Sequence, residues 1–582
     1  MVRAVLALCM PFGGLCLEAL AQTPFFPLKD VKQGMRGIGK TVFAGDRIED
    51  FQVEILGVLE NIGPKQSLIL ARLSGGPLAS TGVMQGMSGS PVYIDGKLLG
   101  AVAMGFPFSK EPIAGIRPIE EMVRSGSSPI SRPGKRLKSG DVGALLPERE
   151  PALSGGMKMM DIATPVSFGG FTGAAVDHFA PQLRALGLEP RQGLSLGGKV
   201  EDRMGDRAAL HPGSMISVQL MTGDLSVGAD GTVTYIDGEK VYAFGHRFLS
   251  VGPTSLPFAR AEVMALLPNL NSSFKISAPK ELMGIISQDR NTAVSGLLGL
   301  RADLMPVDIS VTHAGRQHDS YRMQMVNDPY LSPFLLQMAV FSSLDATERT
   351  LGAATISVKG AIEFEGKRPP IRLDNMYAGD SGSAAQISLS AAVPLSYVLQ
   401  AGFDQLRVKR VALEIEAADT KKLLNIEQVN LSRKEVHPGG DVDLTVLLAG
   451  ENGAELTRTV RYKVPPGASP GTLYFSVTDG AQASISELRQ IVGSEPRSAD
   501  QVIANANKMR SNSKAYVRVW RADPDYQVDG RDLPDPPPSI AMILAGTPSI
   551  QKTQNSKIGE FEIEAGGNVV AGAKTVQVEV KE

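Results

Sequence analysis

The sequence predicts a mainly β protein: a barrel-like N-terminal half, then a sandwich-like β region with a few helices. Three observations carry this. Gly 62 and Pro 38 in 582 residues, with hydrophobic content of 43% and charged content of 21%, favour turn-rich β structure over helical bundles. Alternating apolar runs recur between Gly, Asp and Pro turns along most of the chain. Two stretches echo each other: "YIDGKLLGAVAMGF" from Tyr93 and "YIDGEKVYAFGHRF" from Tyr235. Both place an alanine eight positions after the tyrosine and a phenylalanine thirteen after it. Asp-Gly between alternating strands is a tight-hairpin signal. Two similar barrels account for the echo, and so does chance repetition of a common turn.

The elements follow in order. Residues 1–21, "MVRAVLALCMPFGGLCLEALA", read as a signal peptide, with Arg3 as the positive flank, an apolar run to Leu17 and Ala19-Leu20-Ala21 as the small-x-small site. The run is too short, and too broken by Pro11 and glycines, to span a bilayer. Cys9 and Cys16 both lie inside it, so the expected mature chain has no disulfide, thiol nucleophile or cysteine-ligated metal. Residues 22–130 form a first β lobe with "FQVEILGVLENI", "QSLILARL" and a closing helix "EEMVRSG". Residues 131–156 have linker composition, and 157–345 resume the β pattern as a second lobe. Residues 346–404 give two strands and a buried helix, "ISLSAAVPLSYVLQAGF". Residues 405–480 read as a sandwich with strands "VALEIEAAD", "DVDLTVLLAG", "TRTVRYKVP" and "GTLYFSVTDG". Residues 481–582 form an α/β region: a helix at "SADQVIANANKMR", a Pro-rich loop at "DLPDPPPS" and an edge hairpin from Phe561 to Val580. The net charge of -2, without a long basic run, argues against a nucleic-acid partner.

The stretch "MQGMSGSPVYIDG" (84–96) holds the chemistry. A serine hydroxyl needs a base within reach and donors for an oxyanion. Glycines around Ser88 permit a tight turn with converging N–H groups, and the amides of Gly86 and Ser88 are the candidate donors. Of six histidines, His246 stands apart: it ends the strand "KVYAFGH", directly after Gly245, in the second copy of the echo. A structural hydrogen bond is the competing role for a lone histidine. No P-loop, dinucleotide fingerprint or metal-ligand cluster appears, so no metal or cofactor is expected.

With these residues in view, "VMQGMSGSPVYIDGKLLGAV" resembles the serine signature of the SpoIVB-type serine peptidases, the bacterial sporulation-signalling family, and "GTVTYIDGEKVYAFGH" resembles its histidine segment. The resemblance covers about residues 30–125 and 205–315. It implies a two-barrel, chymotrypsin-like core, with Ser88 as nucleophile, His246 as base and a protein or peptide substrate. Such a substrate or partner could be a membrane-associated regulatory protein, and the signal peptide makes the expected setting periplasmic or extracellular. Two departures stand out. The order is permuted, since the family's histidine precedes its serine. The family's aspartate, about fifteen residues before the serine, is Leu73 here, and no acid lies between Gln66 and Ser88. Asp289 in "ISQDRN" is the first substitute and Asp224 the second, with a turn role as the alternative for each. The competing reading is a catalytically inactive exported scaffold or protein-binding module. "GDSGS" (379–383) also looks like a serine motif, but Ser383-Ala384-Ala385-Gln386 reads as a capping box opening the helix beyond it.

Overall fold

The computed structural model describes residues 24–126, 159–192, 200–347 and 352–582, apart from breaks at 107–108, 314–316, 452, 486–495, 497, 523–524, 529–530, 534–537, 548–550 and 554–555. The expected signal peptide (1–21) and linker (131–156) lie outside the described residues.

The first lobe is a closed six-stranded barrel. Its strands are β1 (Arg36–Ala44), β2 (Arg47–Gly63), β3 (Gln66–Ser74), β4 (Pro91–Ile94), β5 (Lys97–Gly105) and β6 (Ile113–Pro118), paired round the ring as β1-β2-β3-β6-β5-β4 and back to β1. Alternation puts Phe51, Ile55, Ile69, Val92, Val102 and Ile116 inside, each essentially inaccessible to water. The helix Ile119–Gly126 closes the lobe as expected. A short seventh strand, β7 (Met160–Asp161), adds to the end of β5.

The second lobe closes a second ring: β8 (Met215–Gly223), β9 (Ser226–Asp237), β10 (Lys240–Ala243), β11 (Gly252–Leu267), β12 (Phe274–Arg290) and β13 (Ala293–Leu298). The pairings run β8-β9-β10-β13-β12-β11 and back to β8. Numbered within each barrel, both rings read 1-2-3-6-5-4. The fold is the two-barrel, chymotrypsin-like architecture expected, with the serine lobe first in the chain.

The echo that suggested two barrels does not mark equivalent places in them. Tyr93-Ile94-Asp95-Gly96 joins strands four and five of the first barrel, whereas Tyr235-Ile236-Asp237-Gly238 joins strands two and three of the second. The turns differ too. Ile94 pairs with Lys97, leaving Asp95 (φ 50) and Gly96 (φ 73) at the corner; Asp237 pairs with Lys240, leaving Gly238 (φ 58) and Glu239 there. Topology, not the repeated tetrapeptide, carries the internal symmetry.

Beyond β8 the sheet continues through strands 317–326, 304–313, 408–418, 354–364 and 371–379. Two buried helices, Leu331–Thr347 and Ser383–Gln400, pack on this extension and on each other. The first was not anticipated, because it is apolar on every side and so lacks the periodicity of a half-buried helix. The helix Gly173–Ala185 was also missed; Thr172 caps it through the Ala175 amide. Among the described residues no helix is long and apolar enough to cross a membrane.

The C-terminal region is a sandwich of a four-stranded sheet (455–463, 441–449, 423–431, 569–571) on a five-stranded one (435–436, 573–580, 471–478, 514–521, 556–564), sharing Val442, Val446, Phe475, Val517 and Val578 as core. Two expectations are corrected. The strand Val408–Ala418, placed in the sandwich from sequence, pairs instead with 304–313 and 354–364 in the large sheet. The tail is no edge hairpin: 573–580 lies between 471–478 and 435–436, while 556–564 pairs with 514–521. Alternation identifies a strand but not its partner. The helix at 499–506 forms as read, with Ser498 accepting from the Gln501 amide.

Candidate active site

Ser88 and His246 lie in the same connection of their respective barrels, between the third strand and the fourth. Barrel-to-barrel packing then does what chain separation cannot. Thr232 of β9 donates its amide to Ser88 O at 2.9 Å and its hydroxyl to Gly86 O at 2.8 Å, and the Thr234 hydroxyl donates to Gly89 O at 2.7 Å. Gln85 exchanges backbone bonds with Ser273 and Lys275. The serine turn is therefore clamped by the histidine-bearing barrel.

Gly89 shows how close the approach is. With φ +93, a Cβ there would sit 2.0 Å from Thr232 O and 2.6 Å from Phe244 N, so only glycine fits. Gly89 N donates to Val102 O at 2.8 Å, and a Cβ on Gly245 would lie 3.3 Å from that same oxygen. The neighbours of the serine and of the histidine thus meet over one peptide of β5. On the histidine side, Phe244 (φ 70), Gly245 (φ 68) and Ser250 (φ 61) are all left-handed. For a fully buried phenylalanine this conformation is costly, and such strain concentrates at functional sites.

The polar atoms are arranged unevenly. Ser88 is 0% and His246 2% exposed, and neither Ser88 Oγ nor His246 Nε2 has a hydrogen-bond partner. The two side chains do not bond each other in this conformation. His246 Nδ1 lies 2.6 Å from Arg247 O. A carbonyl only accepts, so Nδ1 carries the proton and Nε2 keeps a free lone pair. Burial holds the imidazole below its ordinary pKa, opposed by the charge of Asp161, the bond to Arg247 O and the charge of Asp289. In the serine turn, Gln85, Met87, Gly89 and Ser90 donate their amides to backbone carbonyls. The amides of Gly86 and Ser88 are committed to no acceptor among the described residues.

Asp289, at the end of β12, does not touch the imidazole. Its carboxylate accepts from the amides of Phe248 (2.8 Å), Leu249 (2.6 Å) and Val251 (3.3 Å), tying down the loop that follows the histidine. Burial raises its pKa against those bonds. Asp224 is in the β8–β9 turn and accepts from the Arg322 amide. Leu73, at the family's acid position, is fully buried in the first barrel. Sequence reasoning missed Asp161, whose negative charge favours the protonated imidazole of His246; its carboxylate faces Arg247 Nε at 3.8 Å. It stands just past the linker-like segment, where nothing local marks it.

Ser381 is exposed, ahead of the helix Ser383–Gln400. The helix begins where expected, but the capping box does not form. Gly382 (φ 76) is the N-cap without a side-chain bond, and Ser383 is buried in the first turn.

A serine turn at the mouth of one six-stranded barrel, clamped by a second that presents a histidine at the matching connection, narrows the family. Residues 21–123 match the SpoIVB peptidase S55 family. The match covers the first barrel with the Ser88 turn and ends before the histidine-bearing lobe. Over those residues the first lobe is similar to a family of serine peptidases. No curated protein matches the chain.

Among the described residues no group of His, Cys, Asp and Glu could hold a metal ion. One more buried group borders the serine turn. Lys275 Nζ donates to Thr41 Oγ1 at 2.7 Å, which also accepts from Ser90 Oγ at 3.0 Å. Burial without a carboxylate pushes this amine down to about 7.

Proposed function

We propose that the protein is an exported serine endopeptidase of the SpoIVB type, acting through Ser88 and His246. The observation that carries this reading is the placement of Ser88 and His246 in equivalent connections of two matched barrels, with two uncommitted amides in the serine turn. His246 Nε2 takes the proton of Ser88 Oγ as the oxygen attacks the substrate carbonyl. The N–H groups of Gly86 and Ser88 hold the oxyanion. The imidazolium then protonates the leaving amine, and water releases the acyl group by the same route. Arg247 O orients the imidazole, so the pair works as a dyad. Asp289 acts through the loop 248–251 as a positioning residue. The N-terminal apolar segment supports export to the periplasm or beyond.

Complete burial of Ser88 favours a second reading, in which the lobe is a peptidase-fold scaffold without activity. One experiment separates them. A fluorophosphonate should label the full chain; Ser88→Ala should abolish the labelling and Ser381→Ala leave it intact. Absence of labelling on Ser88 in the folded protein favours the scaffold, and labelling that follows Ser381 overturns the assignment.

A further inference from the structure

Ser88 sits beside a strand edge that is already occupied. Val102 of β5 bonds the serine turn on both sides: its carbonyl accepts from Gly89 and its amide donates to Ser90 O. One residue along the strand, Ala103 O accepts from Ile162 N at 3.0 Å. Met104 then pairs with Asp161 and Gly105 with Met160, antiparallel. The strap therefore begins where the serine turn stops. Asp161 reaches across to Arg247, the residue after the histidine. A peptide whose carbonyl is to lie between Ser88 and His246 must run along this same edge, because it needs main-chain partners next to the nucleophile and within reach of both lobes.

Ile162 adds a side-chain component. It is 6% exposed within the first barrel's core cluster, and its Cγ1 lies 3.7 Å from the Cβ position of Gly105. A cleft of about 250 Å³ adjoins it, lined by Val83, Gln85, Phe106, Asp161 and Ser273 among others.

We infer that the edge of β5 at Ala103–Gly105 seats the main chain of an extended polypeptide substrate with an apolar residue in the place of Ile162, and that residues 160–162 hold this seat as an internal competitor. The inference rests on the peptidase reading and adds its regulation. The strap is short, so its release requires the loss of few main-chain bonds, and an incoming strand replaces them one for one.

The test is the rate of fluorophosphonate labelling of the full chain in three forms: unchanged, Ile162→Pro, which removes the N–H to Ala103 O, and Met160→Pro at the strap's exposed end. Circular dichroism checks that each is folded. The expected result is Ser88-dependent labelling faster by roughly three- to tenfold in Ile162→Pro, the factor that one lost hydrogen bond contributes. The hexapeptide Met-Met-Asp-Ile-Ala-Thr, copied from residues 159–164, should slow that variant again. A folded Ile162→Pro that labels at the unchanged rate overturns the strap and leaves the peptidase reading standing. If no form labels at Ser88, the peptidase reading falls and the strap with it. Should Ile162→Pro not fold, Met160→Pro is judged by the same two criteria.

Discussion

Replacing Lys275 by methionine removes a buried amine and keeps most of its volume. In the folded chain the amine has one neutral partner, Thr41 Oγ1, and burial moves its pKa from 10.5 to about 7. At about 1.4 kcal/mol per tenfold change, that displacement is a penalty of about 5 kcal/mol on the charged form. The sign follows from proton counting. Between pH 7 and 10.5 the unfolded chain holds a proton on this lysine that the native state lacks, so its contribution to stability rises with pH across that window. Below pH 7 the native state must bury an ammonium and carries the whole penalty. Lys275→Met is therefore expected to be more stable than the unchanged protein at pH 6. Its advantage should shrink by about 2 kcal/mol between pH 7 and pH 9. Urea unfolding at pH 6, 7, 8 and 9, with unchanged slope, measures this difference. A difference constant with pH would show that Lys275 keeps an ordinary pKa and that its surroundings are wetter than the geometry implies.

Gly89→Ala should destabilise the protein by about 3 kcal/mol or more, because the new Cβ meets backbone of the partner barrel. Gly96→Ala, left-handed but with open space around it, should cost only about 1 kcal/mol; equal urea midpoints for the two would contradict the clash. Asp289→Asn should cost roughly 1.5–3 kcal/mol and slow labelling of Ser88, since an amide nitrogen cannot accept from Leu249 and Val251. An unchanged melt would remove Asp289 from the histidine's support. The imidazole is held below its ordinary 6.5 by burial, so the acid limb of the labelling rate should have its midpoint below pH 6.5. Stability linked to His246 should fall as pH drops below that value, where only the unfolded chain gains the proton. A midpoint above 6.5 would contradict a buried, neutral base.

Local chemistry was legible in the chain itself. Glycines around Ser88, a Gly-His pair ending an alternating run, and Asp-Gly corners are short-range signals, because φ requirements and turn geometry act over a few residues. They sufficed for a mainly β class and for singling out Ser88 and His246, whose neighbouring glycines meet over the Val102 peptide. Pairing was not legible. Val408–Ala418 reads as a sandwich strand but joins the large sheet, and the tail reads as a hairpin but splits between two partners, since alternation names the buried face and not the neighbouring strand. The Tyr-Ile-Asp-Gly echo pointed to two barrels, yet marks inequivalent corners of them. Asp161 and Lys275 matter through residues distant in the chain: one faces Arg247 across the strap, the other enters the first barrel to reach Thr41. Neither carries a local signature. Electrostatic and packing environments are set by what folds against a residue, so the charge acting on His246, the buried amine beneath the serine turn and the occupied edge of β5 were decided by tertiary structure alone.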